Sequence, residues 1–183
     1  MKKLMLLVLP LVLSACGYNT IQTMDETAAA ARQQIEVQLQ RRADLVPNLV
    51  ATVKGYAAQE EQIFTEVANA RARLAGSVSG GNMGEMADAN QAMTGALGRL
   101  LVITENYPQL KSDQNFLRLQ DELTGTENRI AVSRTDYNNS VRDYNAYIRK
   151  FPAVLTAKVT GAKAREYFEV SNAANLEAPK VAF

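Results

Sequence analysis

DQNFLRLQDELTGTENRIAVSRTDYNNSVRDYNAYIRKF, residues 113–151, decides the fold. Phe116, Leu123, Ile130, Tyr137, Tyr144 and Phe151 follow one another at intervals of seven. That spacing returns a side chain to one stripe of an α-helix every two turns, whereas a half-buried strand needs strict alternation. Ser112 or Asp113 supplies a capping oxygen at the start, Phe151-Pro152 stops the run, and only Gly125 weakens its interior. The pattern predicts a helix reaching about Lys150, roughly 38 residues and therefore roughly 57 Å long.

A helix with one apolar stripe needs partners, and the chain upstream supplies them. Between Thr20 and Ala75 a lane of Leu39, Val46, Val53, Glu60, Val67 and Leu74 repeats at sevens. Arg42, Leu49, Tyr56, Ile63 and Ala70 repeat three residues on, which makes a two-lane seam of the bundle or coiled-coil kind. Asp25 is a start signal for this stretch. Pro47 interrupts it as either a kink or the start of a new helix after a turn at 44–47. Residues 76–84, GSVSGGNMG, read as a flexible linker. A further helix runs from near Glu85 to about Tyr107, with Gly95 and Gly98 lowering its propensity. The expected fold is all-α: an up-and-down bundle of about four long helical segments, with residues 153–183 as an irregular tail strapped over it.

Two seam positions carry charge, and a charge on a packed face needs a partner. Glu127 and Arg134 each lie four residues after a core position of the long helix. If the chain reverses near Pro47, Arg42 can meet Glu127 while Glu60 meets Arg134, and the reversal is the favoured reading. The seam's unbroken phase through Pro47 argues for one continuous helix instead.

The N-terminus has a different character. Lys2 and Lys3 precede the apolar run Leu4–Leu13, which ends in Leu13-Ser14-Ala15-Cys16. A basic region, a short apolar region and small residues before the chain's single cysteine match a bacterial lipoprotein signal, 1–15, cleaved before Cys16. The run is too short to span a bilayer: about 12 residues make about 18 Å of helix against about 30 Å of hydrocarbon. Acyl chains on Cys16 would tether residues 16–183, a single domain, to a membrane. Gly17, in place of the Asp that retains lipoproteins at the inner membrane, favours the outer membrane in a diderm cell.

Composition removes most chemistry. There is no His and one Cys, with 47% hydrophobic and 21% charged residues. The commonest acid–base residue and metal ligand is thus missing, and a carboxylate di-metal site built on Glu-x-x-His motifs cannot be assembled. Loss of Lys2 and Lys3 from 20 basic residues leaves 18 against 19 acidic ones, which gives a nucleic-acid partner no purchase. Glu60-Glu61 and Asp121-Glu122 are sequence neighbours that point about 100° apart on a helix and read as solvated faces. The tyrosines Tyr137 and Tyr144 lie in the seam and read as core, with the hydroxyl at the edge. No catalytic residue, cofactor or metal is expected.

Several segments carry a family resemblance. Gly17-Tyr18-Asn19, Asp44-Leu45-Val46-Pro47-Asn48-Leu49, Val53-Lys54-Gly55-Tyr56 and Tyr107-Pro108-Gln109-Leu110-Lys111 resemble the LemA family, as do Glu127-Asn128-Arg129-Ile130, Tyr144-Asn145-Ala146-Tyr147-Ile148, Arg165-Glu166-Tyr167-Phe168 and Ala178-Pro179-Lys180-Val181. The resemblance implies a membrane-attached helical bundle of about four helices with no agreed biochemical activity, linked to envelope functions and, in magnetosome-forming bacteria, to membrane organelles. Many relatives have a transmembrane segment where this chain has its lipobox. Arg32 replaces a frequent Trp, and Gln59-Glu60 replaces a His-Glu pair, which weakens any metal or acid–base role there. The expected function is a non-enzymatic envelope module that presents helical faces to envelope proteins or cell-wall components. The alternative is an enzyme or a small-ligand or cell-wall-binding module with an unrecognised site in the bundle.

Overall fold

A computed structural model describes the backbone of residues 2–170 and the side chains of residues 17–170. The side chain of Cys16 and the motif at 178–181 lie outside the described residues. The described chain is all-α, an up-and-down arrangement of α1 (Lys2–Lys54), α2 (Glu61–Gly80), α3 (Met83–Ile103), α4 (Pro108–Lys111), α5 (Gln114–Tyr147) and α6 (Ala153–Thr160). The described residues group into two compact units, one of residues 2–35 and 131–167 and the other of 36–130 and 168–170.

The second unit buries most of the predicted seam, although Tyr56 is exposed and Ile63 only half-buried. Leu39, Val46 and Val53 of α1 and Val67 and Leu74 of α2 are buried, together with Met86, Met93 and Leu100 of α3 and Phe116 and Ile130 of α5. Asp113 is the residue that caps α5: its Oδ1 accepts the Phe116 amide at 2.9 Å. Two cross-element hydrogen bonds hold the turn after α1, from Tyr56 to Asp113 at 2.9 Å and from Gln59 to Tyr107.

Three expectations are corrected. Asp25 lies inside α1 rather than at its start. The chain does not turn at Pro47: α1 runs through it to Lys54, and the break comes at residues 55–60, where Gly55 is the one glycine between Thr20 and Ala75. A proline at 47 cannot donate to the carbonyl of Ala43, four residues back. Arg71 of α2 takes that carbonyl instead, donating from Nε at 2.8 Å. The orphaned acceptor is satisfied from outside the helix, so the proline is tolerated within it.

Residues 76–84 are also not a loop. Helix continues to Gly80 with Ser77 buried, Gly81 caps it at φ 74°, and Asn82 caps α3 by accepting the Glu85 amide at 2.9 Å. A left-handed residue closing one helix and an Asn opening the next make a tight helical hairpin, and the first of these conformations needs a glycine.

In the first unit, Ile21, Tyr144, Ile148 and Ala157 form a small core, with Met24 and Tyr147 packed on it. Part of the tail does act as a strap here. Asn145 Oδ1 accepts the Arg165 amide at 2.8 Å while Asn145 Nδ2 donates to the Arg165 carbonyl at 2.9 Å. The Tyr137 hydroxyl donates to the Glu166 carbonyl at 2.7 Å. One asparagine side chain thus serves the tail segment as a neighbouring strand would, and Tyr137 is core, its hydroxyl held by the tail rather than reaching the edge.

Candidate functional site

In the second unit a polar group centres on the buried guanidinium of Arg42. The seam places this side chain inward, and only 4% of the residue is exposed. α3 presents Asn90 and Thr94 to it, four residues apart and so on one face. Arg42 Nη1 donates to Asn90 Oδ1 at 2.5 Å and Nη2 to Thr94 Oγ1 at 3.0 Å. α5 adds Glu127, whose Oε2 lies 2.5 Å from Nη1 as an ion pair. Arg42 Nε and Glu127 Oε2 are buried side-chain atoms without a hydrogen bond. Burial pulls the Arg42 pKa below the usual arginine value, and the Glu127 charge opposes that shift.

Beside this group lies a cavity of about 220 Å³, walled mainly by Leu49, Leu97, Leu101 and Leu123. Gly98 also lines it, and a Cβ at Gly98 or at Gly95 would meet nothing within 4 Å. Both glycines are exposed, so neither is there to allow close packing. Chemically, the site offers one buried cation, one carboxylate half-open to solvent and a greasy wall. It contains no nucleophile paired with a base. No group of three or more His, Cys, Asp and Glu among the described residues is arranged to hold a metal ion.

The expected charged residues are thus distributed unevenly. Arg42 and Glu127 come together. Glu60 stands at the N-cap position of α2, where its backbone carbonyl accepts the Ile63 and Phe64 amides. Arg134 sits exposed on α5 among residues of the other unit. The double pairing required a reversal near Pro47, and the reversal comes instead immediately before Glu60. Asn90 and Thr94 escaped the sequence reading because nothing in α3's composition distinguishes them from ordinary solvated residues.

A second polar cluster, in the first unit, also escaped it. Arg165 Nε donates to Asp25 Oδ1 at 2.7 Å, and its guanidinium lies 6.0 Å from the Tyr144 ring centroid. The hydrogen bond from Arg165 is the main influence holding the Asp25 carboxyl below its ordinary value. The partners are 140 residues apart, so no local spacing announces them.

Comparison with known proteins adds the context that the geometry lacks. The LemA family pattern matches residues 31–183. Magnetosome protein MamQ 1 and magnetosome protein MamQ 2 of Paramagnetospirillum magneticum are each 33% identical over 177 residues, 83% of this chain and 64% of theirs. Magnetosome protein MamQ of Magnetospirillum gryphiswaldense is 34% identical over 174 residues, 82% of this chain and 64% of its own. The chain thus spans a little under two thirds of each of these relatives.

Proposed function

This chain belongs to the LemA family, and on that premise we propose that it is a non-enzymatic lipoprotein of the bacterial envelope, held by acyl chains on Cys16. Family membership and the all-helical fold make it an envelope-associated helical module. The anchor is the finer reading, and the run Leu13-Ser14-Ala15-Cys16 carries it. No helix among the described residues is long and apolar enough to cross a membrane. Two or three acyl chains suffice to hold a domain at a bilayer without a basic patch. The helical faces then serve as contact surfaces for other envelope proteins or cell-wall components, and Gly17 favours the outer membrane in a diderm host.

Cys16→Ser tests the anchor. Wild type should incorporate a clickable fatty acid and sediment with membranes, while the variant should do neither, or persist as the unprocessed precursor. Equal labelling of the two proteins would refute lipidation at Cys16.

A further inference from the structure

α6 is built inside out. It buries the small residues Ala153, Thr156 and Ala157, and turns Leu155 and Val159 outward at 55% and 88% exposed. Phe151, four residues before Leu155, is 81% exposed although it holds the next place in the stripe of α5. That helix ends at Tyr147, so the stripe is broken before Phe151 can use it. Single exposed apolar side chains are ordinary. Two large ones a helical turn apart, on a helix whose own core contact is made by alanine and threonine, with exposed Phe151 just before that helix, make an apolar surface that calls for a partner.

Two observations identify the partner. The first is position. Ala153 Cα and Thr156 Oγ1 each lie 3.5 Å from where a Cβ on Gly17 would sit, so α6 packs against the residue one peptide bond from Cys16. The second is charge. Residues 149–164 contain four basic side chains and no acidic one, in a chain whose net charge is only +1. Lys150, Lys158 and Lys163 are all exposed. Aromatic and aliphatic side chains flanked by lysines are the composition of a face that lies in the headgroup region of an anionic bilayer.

We propose that the outer face of α6, with Phe151, is a membrane-docking surface that seats the first unit on anionic phospholipid beside the acyl anchor. The inference rests on the anchored reading only for bringing this end of the chain to a membrane. Insertion itself is a property of the face.

The test uses the full acylated protein, in which modification of Cys16 leaves one engineered thiol for an environment-sensitive dye. Leu155→Cys reports on the face. Val132→Cys, 61% exposed on α5, is the control about 22 Å along that helix from Tyr147, beyond the ~5–10 Å to which such a face inserts. Both proteins are bound to vesicles of phosphatidylethanolamine and phosphatidylglycerol containing brominated acyl chains.

The dye at 155 should shift to the blue and lose most of its emission to the bromine atoms, and the dye at 132 should do neither. Lys150→Glu, Lys158→Glu and Lys163→Glu together, all at exposed positions, should abolish the quenching while the protein still sediments with the vesicles. Protein that sediments with an unquenched dye at 155 overturns the proposal, whether a protein partner or a second copy then covers the face. Failure to sediment at all would instead mark a failure of the anchor, and the same dye measurement on vesicles loaded with a fusion to an independent membrane anchor would then decide the docking face by the same criterion.

Discussion

Arg42 carries a formal charge into the core of the second unit, where it meets an amide, a hydroxyl and a carboxylate from two other helices. Its partners differ in their access to water. The Glu127 side chain keeps 42% of its surface, Asn90 is half-buried and Thr94 is exposed. Asn90, Thr94 and the exposed part of Glu127 can therefore be served by water if Arg42 is gone, whereas the deeply buried Arg42 loses its carboxylate partner if Glu127 is gone. Removing one member of a buried pair usually costs more than exchanging the buried charge for an apolar side chain of similar volume. Arg42→Met should accordingly stay within about 1 kcal/mol of wild type in urea unfolding, while Glu127→Ala should cost about 1–2 kcal/mol, reduced by that glutamate's exposure. The reverse order would mean that the pair is stabilising in its own right.

At the scale of the element, α1 shows where a local rule meets a distant correction. Pro47 would ordinarily end or bend a helix, at a cost of about 3 kcal/mol. The carbonyl it orphans is recovered by Arg71, 24 residues on and on another helix, which no reading of the neighbourhood of Pro47 could reveal. Arg71→Met should therefore destabilise the protein by about 1–2 kcal/mol. In a Pro47→Ala background, where the helix regains its own donor, the same change should cost about 1 kcal/mol less. Equal costs in both backgrounds, measured as a double-mutant cycle by urea denaturation, would detach Arg71 from the tolerance of Pro47.

The same contrast divides what was legible in the sequence from what was not. The stripe of α5 and the seam of α1 and α2 were readable because apolar period depends only on the geometry of one helix. Their phase survives the break at 55–60 because α1 and α2 line one core. Arg42 and Glu127 could be named because a charge within an apolar lane implies a partner. Residues 76–84 misled because Gly and Ser content describes a loop and a tight hairpin alike. The distinguishing sign was Gly81 followed by Asn82 and, three residues on, Glu85: a helix stop directly before a helix start. Phe151 kept the period yet left the core because the helix stops at Tyr147.

For the whole molecule, the account is that of a LemA family helical module of the envelope, whose attachment is proposed to lie in its first mature residue. On that proposal, and with near-balanced charge, the acyl group would supply most of the membrane affinity. The proposed docking face of α6 sets how the first unit rests on lipid and does not replace the anchor. The most direct test is the mass of the N-terminal peptide of the protein extracted from membranes. The account predicts a peptide beginning at Cys16, lacking residues 1–15, and heavier by a thioether-linked diacylglycerol with or without an amide-linked acyl chain. A peptide that begins at Met1, or one that contains Cys16 with a free thiol, would contradict it.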